Sequence, residues 1–364
     1  MSSDSVLAQI RRFAGWRQIT LPLVAAALAL DVAGGHPLLA FTASALALVP
    51  LAGLLGHATE ELAGHVGPAA GGLLNATLGN LTELIIGVLA LSRGEVEVVK
   101  ASITGSIIGN LLLVFGLAAF LGGLGRQKLS FSSVAVGANA SMLFLGVVAL
   151  VMPALFQLSV FGSLEASGTR IQHLSLWVSG VLLASYVASL VFILRTHRSL
   201  FRGEARQHPT FGRSAALAVM VASAALVAVS SEVLVGQVQA VTESFGWTRL
   251  FVGLVVVATV GNAAEHSTAI LAARAGRMDL SLHIAMGSST QIALFVAPLL
   301  VALSPLLGAP MSLVFQPLEI AAVILSVGAV VVVAMDGETN WLEGVMLLGV
   351  YVVLAVFFYV LPGG

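Results

Sequence analysis

The sequence predicts an all-α polytopic membrane protein of eleven transmembrane helices. One extra N-terminal helix precedes two inverted-topology repeats of five helices each. Three observations lead there: composition, the spacing of apolar stretches, and a motif that occurs twice. Of 364 residues, 58% are hydrophobic and only 9% charged, with a mean hydropathy of +1.03. A soluble domain carries roughly 25% charged residues. Cysteine is absent, so neither a disulfide framework nor a thiolate metal site is available. The net charge of −1 gives no pull toward nucleic acid. The motif is Ala76-Thr77-Leu78-Gly79-Asn80-Leu81-Thr82-Glu83, which returns as Ala258-Thr259-Val260-Gly261-Asn262-Ala263-Ala264-Glu265. Ala76, Thr77, Gly79, Asn80 and Glu83 each recur 182 positions downstream, and the same offset maps Gly94 onto Gly276 and Gly105-Ser106 onto Gly287-Ser288. A constant register over this length argues for a duplicated unit.

A spanning helix needs about 20 apolar residues. Charged, Gly and Pro breaks divide the chain into eleven such stretches, near 18–34, 37–56, 66–92, 98–122, 131–152, 174–194, 214–233, 248–273, 281–303, 313–334 and 341–361. The first is short and interrupted by Asp31; the third and eighth hold the motif. The longest loops, about 153–173 and 195–213, leave no room for a soluble domain. The polar N-terminus, with Arg11, Arg12 and Arg17 and no small-residue cleavage site after a short apolar core, reads as a retained cytoplasmic segment. The expected organisation is 1–36 for the N-terminus and extra helix, 37–195 for the first repeat, 196–213 for a basic loop and 214–364 for the second repeat.

Cytoplasmic loops hold the excess of Lys and Arg. With the N-terminus inside, that side carries Arg11, Arg12, Arg17, Arg126, Lys128, Arg195, Arg198, Arg202, Arg206, Arg213, Arg274 and Arg277. The far side keeps Arg93, Lys100, Arg170 and Arg249, and adding or losing one span would scramble the separation. The motif helices are five spans apart, an odd number, so they cross in opposite directions. Inverted repeats of this kind build secondary transporters with a site near the midplane.

Glu83 and Glu265 lie well inside their spans, with no Lys or Arg nearby in either. A charge at bilayer depth costs at least roughly 2.5 kcal/mol, so the pair must bind something positive or hold protons. A hard divalent cation fits, because Ca²⁺ takes six to eight oxygens from carboxylates, carbonyls, amides and water. Neutral oxygens in the same segments come from Asn80, Thr77, Asn262, Thr259, Ser106, Ser288, Ser289 and Gln291. Gly79 and Gly261 serve either as packing glycines or as a local break that frees carbonyls. Asn110 and Gln291 are either ligands or hydrogen bonds between helices. His266, where the first repeat has Leu84, is either a proton relay or a packing residue. Glu232 and Glu319 fall toward the outer face, as cation attractors or helix caps; Glu60 and Glu61, with His57 and His65, fall in the cytoplasmic turn before the motif helix. Arg202, Arg206 and His208 belong to a loop that obeys the positive-inside rule.

These residues resemble the Ca²⁺/H⁺ antiporters, the cation/proton exchangers of the Ca²⁺/cation antiporter superfamily. The matching stretches are GNLTELIIG at 79–87, GSIIGNLLLVFG at 105–116, VGNAAEHSTAI at 260–270, GSSTQIALFVAP at 287–298, MSLVFQPLEI at 311–320 and MDGETNWLEGVMLLGVYV at 335–352. The resemblance runs from about residue 50 to the end. It implies ten core helices plus an extra first one, Glu83 and Glu265 as central ligands, and Ca²⁺ extrusion from the cytosol against inward proton flow. Na⁺/Ca²⁺ exchangers of the superfamily read more like G-T-S-x-P-[ED]; here the equivalents are G-N-x-x-E, with Asn110 and Gln291 where an acid would strengthen a Na⁺ site. Protons are therefore the expected counter-ion and Na⁺ the alternative. Some relatives carry an acidic segment between the halves, whereas 195–213 is basic with only Glu204. A passive cation channel would use the same carboxylates without coupling. A membrane hydrolase would need a metal-ligand cluster that the spans lack. Ca²⁺ and H⁺ are expected as substrates, the lipid bilayer as a partner, no nucleic acid and no resident cofactor. Small size and Ala/Gly richness suggest a prokaryotic cytoplasmic membrane, with a vacuolar membrane as the alternative.

Overall fold

The computed structural model describes residues 14–66, 68–162, 169–196, 209–210 and 212–361. Arg11, Arg12, Arg198, Arg202, Glu204, Arg206 and His208 lie outside the described residues. Among the described residues, thirteen helices follow one another: α1 (Ala14–Val32), α2 (Pro37–His65), α3 (Pro68–Leu78), α4 (Leu81–Ser92), α5 (Val96–Gly123), α6 (Ser133–Phe161), α7 (Thr169–Thr196), α8 (Arg213–Phe245), α9 (Arg249–Gly261), α10 (Ala263–Arg274), α11 (Met278–Leu303), α12 (Pro317–Ala334) and α13 (Trp341–Val360). Eight of them are long and apolar enough to cross a membrane, and two bent pairs, α3 with α4 and α9 with α10, bring the number to ten. Helix α1, 19 residues from Ala14 to Val32, is the remaining candidate for an eleventh crossing.

Where element bounds differ from expectation, local chemistry explains it. Helix α2 begins with Pro37 in its first turn, where the missing N–H costs nothing, and continues to His65. His57, Glu60 and Glu61 thus sit on a helix and not in a turn. The expected third and eighth spans are each broken at the motif, by 40° and 61°. Gly94 and Gly276 share the repeat offset because both follow a helix end at positive φ, 76° and 81°, a conformation glycine adopts without penalty. Helix α5 widens to a π-helix at Gly109–Val114 and α11 at Ile292–Val296, nearly the same repeat register. Such bulges mark functional sites in many helices.

Contacts between connections test the alternation of spans. Strand β1 (Leu129–Ser130), between α5 and α6, pairs antiparallel with β2 (Glu338–Thr339), between α12 and α13. Arg126 donates to the carbonyls of Ala273 (3.2 Å) and Arg274 (3.1 Å) at the end of α10, and Ser132 N donates to Asp279 (2.6 Å) at the start of α11. All these segments belong to one face when crossings alternate. The opposite face is joined by Arg249 with Glu95 (3.5 Å), Lys100 with the Val314 carbonyl (2.7 Å) and Gln237 with Asp31 (2.8 Å).

The apolar core has two main parts. One surrounds α5 and α11 (Ile107, Leu111, Phe115, Met286, Leu294); the other packs α1, α2 and α8 against Ile86 of α4 and Val252 and Val257 of α9. The halves approach closely where α5 crosses α9. A Cβ on Gly105 would collide with the backbone of Leu254, and one on Gly253 would stand 2.6 Å from Ala101 Cβ and 2.7 Å from the Val98 carbonyl oxygen. Gly287, the repeat counterpart of Gly105, faces nothing within 4 Å. Gly105→Ala should therefore lower stability by about 1–3 kcal/mol through overpacking, whereas Gly287→Ala should be neutral or slightly stabilising. Thermal unfolding of both variants in detergent checks this; equal losses would refute it.

Candidate cation site

Each motif is a helix that stops and restarts. Asn80 (φ −97°, ψ 25°) separates α3 from α4, and Asn262 (φ −97°, ψ 5°) separates α9 from α10. Both adopt the sparsely populated bridge conformation, typical of residues at working sites. Restarting the helix puts Glu83 in the first turn of α4 and Glu265 in the first turn of α10. There the helix dipole favours a carboxylate. The first acid packs against the second break: a Cβ on Gly261 would lie in ordinary contact, 3.8 Å from Glu83 Cγ and 3.6 Å from Ile86 Cδ1. Glu83 therefore rests against the opposite motif, close enough to feel the charge of Glu265.

Among the described residues, one oxygen of each carboxylate, Oε2 of Glu83 and of Glu265, is enclosed without a hydrogen-bond donor. The ion pairs present engage other acids: Arg93 with Glu232, Lys128 with Glu338, and Arg249 with Glu95. No group of three or more His, Asp or Glu is gathered among the described residues. A cation here would meet two carboxylates and otherwise neutral oxygens.

Those neutral groups are brought together by α5 and α11, which lie between the breaks. Asn80 Nδ2 donates to Gln291 Oε1, leaving Asn80 Oδ1 buried and without a partner. Asn262 Nδ2 donates to Ser106 Oγ (2.8 Å) and to the Ala258 carbonyl (2.9 Å). Asn110 Nδ2 donates to Ser288 Oγ (3.0 Å) and reaches Asn262 Oδ1 at 3.5 Å. His266 Nε2 lies 3.1 Å from Asn110 Oδ1, and the Ser288 hydroxyl faces Glu265. A cleft lined by Glu83, Ile86, Ala90, Val98, Ser102 and Ser106 runs from Glu83 toward the connection between α4 and α5.

Other sequence candidates are placed elsewhere. Thr77 Oγ1 donates to Leu73 in its own helix (2.8 Å) and Ser289 Oγ to Ala285 (2.9 Å); Thr259 faces the Tyr351 hydroxyl of α13. Glu232 is bound by Arg93 Nε at 3.0 Å. Glu319, expected toward the outer face, is 2% exposed. It caps α12 through the Gln316 N–H (3.0 Å) and accepts from Thr104 (2.8 Å), with Lys100 beside it. Glu61 holds Thr210 through its backbone N–H (2.8 Å) and hydroxyl (2.7 Å), while Glu60 is exposed. Sequence reasoning missed Tyr186, whose hydroxyl donates to the Ala76 carbonyl at 2.9 Å from 110 positions away. An aromatic in an apolar helix carries no signal of such a bond.

The chain and its fold resemble known proteins. The family described as sodium/calcium exchanger protein matches residues 36–195 and 215–360. A Ca²⁺/H⁺ antiporter of Synechocystis is 46% identical over 341 residues, covering 88% of this chain and 91% of the relative. The Ca²⁺/H⁺ antiporter ChaA of Bacillus subtilis is 40% identical over 350 residues, covering 93% and 98%. The solved structure of native YfkE superposes with a TM-score of 0.82 at 36% identity, covering 95% of this chain and 100% of that one. Motif, broken helices and overall fold converge on one assignment: this integral membrane chain belongs to the sodium/calcium exchanger protein family.

Proposed function

We propose that the chain is a Ca²⁺/H⁺ antiporter that extrudes Ca²⁺ from the cytosol on the proton gradient. The observation that carries this is the pair of carboxylates, Glu83 and Glu265, set at two helix breaks and lacking a basic partner. Relatives at 40–46% identity bear the name Ca²⁺/H⁺ antiporter, which supports protons over Na⁺. So do the amides Asn110 and Gln291, where Na⁺ coordination would gain from another acid.

The mechanism follows from charge. The two ionised carboxylates repel in a medium of low dielectric, and the empty site is costly to carry across hydrocarbon. One Ca²⁺ or two protons neutralise it equally, so the site holds one or the other and exchange is electroneutral. Asn80, Asn262, Ser106, Ser288, Asn110 and Gln291 contribute oxygens or orient those that do, within the six to eight that Ca²⁺ takes. Residues 37–195 and 214–364 act as inverted halves, α1 stands outside their symmetry as an eleventh crossing, and the N-terminus is cytoplasmic. The halves rock about the midplane site to alternate its access.

Three outcomes are expected in sealed vesicles without Na⁺. ⁴⁵Ca²⁺ uptake requires an imposed pH gradient and falls to background in Glu83→Gln and Glu265→Gln, both still folded; persistent transport in either variant would sink the assignment. Lowering pH on the Ca²⁺-loading side raises the apparent KM for Ca²⁺, because protons compete for the same oxygens. Clamping the membrane potential with K⁺ and valinomycin leaves the initial rate unchanged, whereas an electrogenic stoichiometry would make it follow the clamp.

A further inference from the structure

The two motif asparagines, equivalent by sequence, perform different tasks. In the second half, the Ala258 carbonyl accepts the Asn262 backbone N–H at 3.2 Å and its side-chain amide at 2.9 Å. Asn262 thus caps its own broken helix, as asparagine commonly does near helix ends. In the first half the equivalent carbonyl, Ala76, receives the Tyr186 hydroxyl from α7. The Asn80 amide is spared that duty. It turns to Gln291 of α11, and its carbonyl oxygen is left buried with no donor among the described residues. An enclosed amide oxygen without a donor is costly unless a cation meets it.

Tyr186 is itself fixed by α11. Its ring stacks on Phe295, with centroids 5.0 Å apart and planes 20° from parallel. Phe295 belongs to the π-helical segment that starts immediately after Gln291. One brace therefore grips both ends of the first break: Ala76 through Tyr186 and Phe295, and Asn80 through Gln291.

We propose that Tyr186 is a positioning residue for Ca²⁺ binding: by capping the Ala76 carbonyl it leaves Asn80 Nδ2 to Gln291, and this orientation presents Oδ1 as a ligand that the second half does not duplicate. This rests on the paired-glutamate site. Without the hydroxyl, Asn80 is recruited to its own helix, as Asn262 is, and the site loses an oxygen. The effect falls on Ca²⁺ affinity and not on turnover.

The test is ⁴⁵Ca²⁺ initial rates in proteoliposomes for Tyr186→Phe, Asn80→Ala and the double variant. Tyr186→Phe keeps the stacked ring and should raise KM for Ca²⁺ about two- to tenfold, the worth of one hydrogen bond, with the maximal rate little changed. Asn80→Ala should raise KM at least as much, and Tyr186→Phe should add nothing in that background. A Tyr186→Phe variant with unaltered KM, or one whose effect multiplies with that of Asn80→Ala, would overturn the proposal. Asn80→Ala without effect on KM would instead overturn the site reading beneath it. Phe295→Leu, which keeps the hydroxyl but frees its ring, provides a second route: the same KM rise, again absent beside Asn80→Ala, is the expected result.

Discussion

Leaving two negative charges unneutralised inside hydrocarbon is the constraint on which this molecule turns. The chain has acids elsewhere, and several near the membrane faces are matched. Glu232 has Arg93, Glu95 has Arg249, Glu338 has Lys128, and buried Glu319 has Thr104, a backbone N–H and Lys100 beside it. Glu83 and Glu265 have no basic partner among the described residues, and an oxygen of each is enclosed without a donor. Whatever neutralises them must arrive from outside the protein, which is what a substrate does.

Interrupting a helix at that depth creates a second difficulty, because each freed backbone group must find a partner away from water. The fold uses different solutions at the two breaks. At one, an asparagine folds back on its own carbonyl; at the other, a tyrosine from a neighbouring helix takes that carbonyl. Around the breaks, α5 and α11 lend Ser106, Asn110, Ser288 and Gln291 from stretches at or beside their π-helical segments. Irregular backbone thus lies where polar side chains can compensate for it, surrounded by close-packed apolar helices.

Much of this was legible in the chain. The recurrence of Gly79, Asn80 and Glu83 at a fixed offset located the site, and apolar spacing located the helices, because both are periodic in sequence. What remained hidden depends on which helix neighbours which. Hydropathy marks α1 as apolar but not how it packs, and Glu60 and Glu61 read as a turn because charge normally ends a span. Glu319, read as a cation attractor or a helix cap, is a cap, but nothing local shows that Thr104 and Lys100 also come to meet it. Asn80 and Asn262 looked interchangeable, since their unlike partners, Gln291 and Ser106, lie in different halves.

That last difference bears on ancestry. A duplicated unit of opposite topology suggests a progenitor in which two copies of one half assembled face to face. Two copies of the first half would not reproduce the present contacts. The position equivalent to Gln291 is Gly109, so Asn80 in each copy would meet no amide across the interface. Gly105 and Gly287 have parted likewise, one pressed against a backbone and the other facing open space. Fusion into one chain released the halves from having to be self-complementary, and the sequence has since specialised each copy for the other.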